Sequence, residues 1–570
     1  MERTFESVRS DRALVRRGSG QGRPPQPPSY EREQARLEAL LARWREGKSR
    51  RPGDATPEKL VYVLQHAYTP AQLGFASLKG ADAAAAGVLA SAATEAGCAL
   101  HAALLTIEES GAAEYAESYG SRRGRWVEEE FEAGEVFDRA VTLSDWRSLE
   151  GDLPAFGPIP VEDQEISPPD ACADLTPDEE HFREATGNEG ASFERTYRRA
   201  ALVLWPRERL AAVLSQAGLS VTLPYLDDLA RRWTESGEDR GSPLWREAND
   251  LAGHVLTRWP RQNWYPRSEI PSERGQMLAV LTRLDDAATI ERFLANVIAV
   301  DGCEKGDNEA VIAALGRLPP ARRATLIERI IKGTAARQTG TCADLLARAA
   351  SGWPDLVPTR LRAAAKQLVE RLPGGDLARA APPRPAWQED TKVEPDLVVA
   401  LLSGLAAIDE SLAERTVEHV LARPKIYDPD HVLVAAARTL YAGRARQHSS
   451  AIERLRAACL SHLRARVSEP LAPPTDWRRP SKLPCRCPRC TELARFLDDS
   501  ERQTWIFRAA EADRSHVQET INRARCDVDP VTDRRGRPYS LVCTKNRASY
   551  ERRSTQRQRD LADLELLDGS

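Results

Sequence analysis

The chain has 570 residues with 41% hydrophobic and 29% charged side chains, a balance that excludes wholesale disorder and a length that suits three or four domains. Only 6% of residues are aromatic and the apolar set is mostly Ala and Leu, so helices are expected to dominate. Ten Cys are too few for a disulfide scaffold, no run of about 18 apolar residues exists to span a membrane, and the N-terminus lacks the apolar core of a secretory signal. The expectation is a cytoplasmic protein with reduced thiols. Its net charge of −4 hides an asymmetry: residues 128–189 hold 19 acidic side chains against three Arg, whereas residues 477–557 hold 19 basic against 11 acidic ones. Such separation points to contact between the two segments or to partners of opposite sign.

In chain order, residues 1–57 read as an Arg-, Gly- and Pro-rich linker followed by one helix, in which Leu37, Leu40, Leu41 and Trp44 share a face. Residues 58–206 read as an α/β or α+β module. Strands are predicted at 59–68, 98–110 and 134–146, a helix at 80–96, a Pro-rich acidic loop at 152–179, and a further element at 194–206 that stops at Pro206. Residues 207–468 read as roughly a dozen helices with turns at Gly, Pro and Asp and no strands between them. A HEAT-like or irregular solenoid fits that pattern, with its concave face open to a protein or peptide partner. Residues 469–570 read as a linker, EPLAPPTDWRRPSKLP, and a basic α+β module with five of the Cys, including a helix over 501–523 and a strand at RPYSLVCTK. The fold class expected is therefore multidomain and mainly α.

The sharpest chemical signal is CRCPRC, with Cys485, Cys487 and Cys490 on a turn constrained by Pro484 and Pro488. Three thiols so close can converge on one soft metal ion, and structural zinc takes four Cys or His ligands. Cys526 is the favoured fourth ligand, because a residue between a helix and a strand can reach back to the turn; His516 and Cys543 are the alternatives. Cys98, Cys303, Cys342 and Cys459 lie on apolar faces and read as core. Arg122, Arg123 and Arg125 in SYGSRRGRW can clamp an anion or partner, or pair with Glu128–Glu132. The Gly-Lys-Ser at 47–49 has Ala42 where a phosphate-binding loop needs Gly and follows a helix, so it is excluded, and GSGQG at 18–22 follows no strand. None of the nine His begins the His-x-Asp/Glu pair of a non-haem iron site.

Several longer segments carry a resemblance: KLVYVLQHAYTPAQLGFASLKGAD, SYGSRRGRW, LSDWR, TGNEGASFERTYRRAALVLWP, CRCPRCTELARFLDD and RGRPYSLVCTK. Across roughly residues 10–560 the chain resembles the long C-terminal portion of microbial and fungal proteins identified as 2-oxoglutarate/Fe(II) oxygenases of the prolyl-4-hydroxylase type. In that family a double-stranded β-helix with the iron ligands and a 2-oxoglutarate-binding Arg precedes this region. Here RALVRRGSGQGRPPQPPSY resembles only its last strand and exit linker, so the resemblance implies a chain without the catalytic domain and no catalytic residue carries over. The expected function is a non-catalytic accessory or scaffold region that binds a protein or peptide, with a structural zinc. The alternatives are one part of a 2-oxoglutarate-dependent Fe(II) dioxygenase whose catalytic half lies on another polypeptide, or nucleic-acid binding through the basic C-terminal module.

Overall fold

The computed structural model describes residues 30–48, 56–115, 131–173, 175–184, 190–260, 272–354, 360–375, 393–442 and 449–569. The chain divides into two compact units, Met1–Leu326 and Ile327–Ser570.

The first unit opens with helix α1 (Glu31–Arg45), which buries Leu37, Leu41 and Trp44 and packs on helix α2 (Gly80–Ala96). The sheet comprises β1 (Leu60–Val63), β2 (Cys98–Tyr115), β3 (Phe131–Ser148), β4 (Ile159–Pro160), β5 (Ile166–Ser167), β6 (Glu179–Arg183) and β7 (Ser192–Pro206), with spatial order β4-β3-β2-β7-β1-β5 and β6 on the far part of β7. Among the described residues of this sheet, only the β1–β5 pair is parallel. Strand β7 runs centrally, and Ala200 to Trp205 are all buried, which is why this segment is continuously apolar instead of alternating. The predicted strand at 59–68 ends at Val63, and the following loop is held by Asp82 in the first turn of α2. That carboxylate accepts the backbone N–H groups of Gln65 and His66 and the Tyr68 hydroxyl, at 2.9, 3.0 and 3.0 Å.

The acidic stretch is knitted into this sheet, where a loop over 152–179 was expected; β4 and β5 lie within it. Asp163, Asp178, Glu179 and Glu180 pair with Arg139, Arg199, Arg198 and Arg195 of β3 and β7 at 2.5 to 3.0 Å. Glu165 goes inside instead, where its carboxylate meets the fully buried Lys59 ammonium at 2.6 Å, with Gln216 Oε1 at 2.7 Å.

Helices complete the unit: α3 (Leu210–Ser215), α4 (Leu219–Glu235), α5 (Pro243–Thr257), α6 (Glu273–Leu284), α7 (Ala287–Phe293) and α8 (Asn308–Gly316). Within this series α4 packs on α5 and α6, and α6 on α7 and α8. Ser242, Ser272 and Asp286 cap α5, α6 and α7 through their side chains. Helix α9 (Pro320–Thr334) contains the boundary between units.

In the second unit, α10 (Thr339–Gly352), α11 (Arg362–Glu370), α12 (Pro395–Ile408), α13 (Glu410–Leu421), α14 (Ala435–Ala442) and α15 (Ser450–Ser468) pack on near neighbours in sequence. Gly404 lets α12 approach α10 closely: a Cβ there would lie 3.0 Å from the Ala347 Cα. The C-terminal module consists of α16 (Pro488–Asp498), β8 (Thr504–Arg508), α17 (Glu511–Ala524), β9 (Val528–Asp533) and β10 (Ser540–Lys545). Its antiparallel sheet has the order β8-β10-β9. The helix predicted over 501–523 is thus strand β8 followed by the shorter α17. Leu493, Phe496, Leu497, Trp505, Val517, Ile521 and Leu541 form its core. The last helix, α18 (Ala548–Asp568), returns to α15, where Arg466 grips the buried Asp560 with both terminal and inner guanidinium nitrogens at 2.5 and 2.7 Å. Among the described residues no helix is long and apolar enough to cross a membrane.

Candidate metal centre

Cys487 occupies the N-cap of α16, with Pro488 in the first helical position, where a missing N–H costs nothing. The Cys487 sulfur accepts the backbone N–H of Cys490 at 3.4 Å, as a capping oxygen ordinarily would. Cys485, two residues earlier, accepts the Cys487 N–H at 3.5 Å. Cys490 is buried in the first turn, and all three sulfurs therefore lie at one helix end.

Helix α17 crosses this end with a polar stripe at Asp513, His516 and Thr520, spaced to share one face. Asp513 binds Arg489 at 2.7 Å, and Thr520 Oγ1 is 3.6 Å from Cys490 Sγ. Between them, His516 Nε2 lies 3.4 Å from Cys487 Sγ and 3.3 Å from Cys490 Sγ. The four ligand atoms of Cys485, Cys487, Cys490 and His516 all fall within 4.8 Å of one another. A tetrahedral ion with bonds of about 2.3 Å to sulfur and about 2.0–2.1 Å to nitrogen separates S and N by about 3.5 Å and S and S by about 3.8 Å. The two sulfur–nitrogen separations of 3.3 and 3.4 Å lie close to the tetrahedral value, and the cluster can hold a metal ion. Among the described residues it is the one place where three or more His, Cys, Asp or Glu ligand atoms converge in this way.

The electrostatics suit a cation. The Cys490 N–H and the neighbouring thiols and imidazole bring the Cys487 thiol down to about 6, so a thiolate stands ready at neutral pH. Burial pushes Cys490 up to about 11; a divalent cation among the sulfurs would supply the charge that lets it ionise as well.

The fourth position corrects the sequence-based preference. Cys526 lies beyond the left-handed C-cap Arg525 of α17, whose eight residues after His516 rise about 12 Å, so it sits past the helix end remote from the thiols. It belongs to the module's apolar core, as does Cys543 on β10, and burial raises both thiols, Cys543 to about 12. His516, one of the alternatives, is the residue in the cluster. Its signal was present in the Asp513–His516–Thr520 stripe, a polar line on a helix whose adjacent Val517 and Ile521 face the core. Cys98, Cys303, Cys342 and Cys459 are all buried away from the cluster, Cys303 with Asn308 Oδ1 at 3.8 Å and Cys342 with Thr334 Oγ1 at 3.2 Å. Arg122, Arg123 and Arg125 lie outside the described residues.

No family model, curated protein or solved structure matches this chain.

Proposed function

We propose that the chain is a non-catalytic binding or scaffold protein whose C-terminal module is held together by a structural zinc on Cys485, Cys487, Cys490 and His516. The observation that supports this reading is the convergence of three sulfurs and one imidazole nitrogen within 4.8 Å of one another. Four protein ligands leave no open position for substrate or water, which is the pattern of a structural site. Thiolate-rich ligation also favours zinc over the two-His, one-carboxylate set of a non-haem Fe(II) oxygenase. Zinc would tie the α16 turn to α17, two elements that otherwise share a small core, and its binding free energy would enter the folding free energy directly.

Metal analysis of the full-length chain, purified under reducing conditions, tests this. About one zinc per chain is expected, falling below about 0.2 in Cys487→Ser and His516→Ala and unchanged in Cys526→Ser. A zinc-free wild type, or zinc retained in His516→Ala and lost in Cys526→Ser, contradicts the assignment.

A further inference from the structure

The zinc module's sheet buries one face on α16 and α17 and leaves the other uncovered among the described residues. On the uncovered face, Ile506 of β8, Val542 of β10 and Val531 of β9 stand directly opposite one another across the three strands. Ile506 and Val531 are 64% and 62% exposed, unusual for side chains of this size in strands. Beside this row, towards the β9–β10 hairpin, lie Arg508 and the exposed Arg534, Arg535 and Arg537. Arg508 donates to the carbonyls of Arg537 and Pro538 at 3.4 and 3.3 Å, drawing its charge towards the hairpin. Asp533, 3.3 Å from Arg535, is the one carboxylate from 530 to 540, so guanidinium groups outnumber it four to one. The opposite flank carries Thr504, Thr544 and Asp529.

We infer that this face docks an amphipathic helix of a partner protein, its apolar stripe on Ile506, Val542 and Val531 and an acidic flank against the hairpin arginines. Strands about 4.8 Å apart make the row about 10 Å long, which matches an i, i+4, i+7 stripe rising about 10.5 Å. Carboxylates along one flank would meet the guanidinium groups in charge-assisted pairs. An aliphatic row offers no aromatic ring for base stacking, and the module's aromatics are engaged internally: Trp505 is buried against Phe496 and Phe507, and Tyr539 lies under Arg514. A second copy would bring the same excess of guanidinium groups.

The inference rests on the zinc reading, because the sheet belongs to the module that the metal would hold. The test uses the full-length chain and fluorescence anisotropy of a labelled synthetic 18-residue helix with a Leu stripe and a Glu flank. A matched peptide with a Lys flank and an 18-nucleotide oligo-dT serve as competitors, and zinc is measured on every sample. The acidic helix is expected to bind, to weaken with salt, and to lose at least about tenfold in affinity in Val531→Glu and in Arg534→Glu/Arg537→Glu with zinc content unchanged. Equal binding of the Lys-flanked peptide, preference for oligo-dT, unchanged affinity in the variants, or self-association that Val531→Glu abolishes would each overturn the inference. Full zinc loading without peptide binding would refute the docking surface alone. Peptide binding by a zinc-free chain would refute the metal reading and leave the surface standing.

Discussion

Replacing Glu165 by Gln in the first unit keeps the shape of the side chain and removes the charge that balances Lys59. The pair is closed off from water, with side-chain exposures of 0% and 2%; the other oxygen bonded to the ammonium is the neutral Gln216 Oε1 at 2.7 Å, and Glu162 and Glu58 act on it only through space. Breaking a buried pair by removing one partner costs about 3–5 kcal/mol. An independent limit follows from proton release: burial already lowers the Lys59 pKa, and neutralising an ordinary lysine at pH 7 costs about 4.6 kcal/mol, so the charge contribution cannot exceed about 5. If folded Glu165→Gln carries a neutral Lys59, the unfolded chain binds one proton more, and stability rises with pH by about 1.4 kcal/mol per unit until about pH 10. Relative to wild type, the deficit should therefore shrink by up to about 2.7 kcal/mol between pH 7 and pH 9. Hydrogen exchange of peptides covering β1 and β7 reads this unit alone. Lys59→Met/Glu165→Leu should recover most of the loss. A deficit below about 1 kcal/mol at pH 7, or one that grows with pH, refutes the reasoning.

In the C-terminal module, Cys543→Ser should keep zinc and lose about 1–3 kcal/mol, because its hydroxyl would be buried among Leu541, Trp505 and Val517 without a partner; loss of zinc in this variant would contradict the separation of core thiols from ligand thiols. Asp560→Asn should weaken the return of α18 onto α15 by about 1.5–3 kcal/mol, seen as faster proteolysis of residues 548–568; unchanged protection would show that Arg466 contributes little there. With Fe(II), ascorbate, 2-oxoglutarate and candidate peptides, the chain alone should release no succinate; iron-dependent release above a heat-killed control would contradict the non-catalytic reading.

The fold shows in the sequence where one physical signal dominates. The element expected at 194–206 is the central strand β7, whose unbroken apolar run Ala200 to Trp205 is buried but does not by its pattern alone separate strand from helix. The α2 helix was visible in its Ala content and closes at Gly97 in a left-handed conformation. Strand β8 does not stand out from the predicted helix because Trp505 and Phe507 alternate with Ile506 over only five residues, and the alternation is blurred by an apolar side chain on the exposed face. The acidic stretch resembles a loop because β4 and β5 are two residues each, too short to carry a strand pattern, and β5 pairs with β1, far earlier in the chain. In the metal cluster the three thiols were legible from spacing. The fourth ligand was not, because it depends on which end of α17 meets α16, a fact of tertiary packing that the Cys pattern does not contain.

X-ray absorption at the zinc edge of the full-length, reduced chain addresses the central claim most directly. Three sulfur neighbours at about 2.3 Å and one nitrogen at about 2.0–2.1 Å are expected, with imidazole scattering that disappears in His516→Ala. A shell of four sulfurs would place Cys526 or Cys543 on the metal, and a shell of oxygen and nitrogen alone would remove the cluster from zinc altogether; either result contradicts the account.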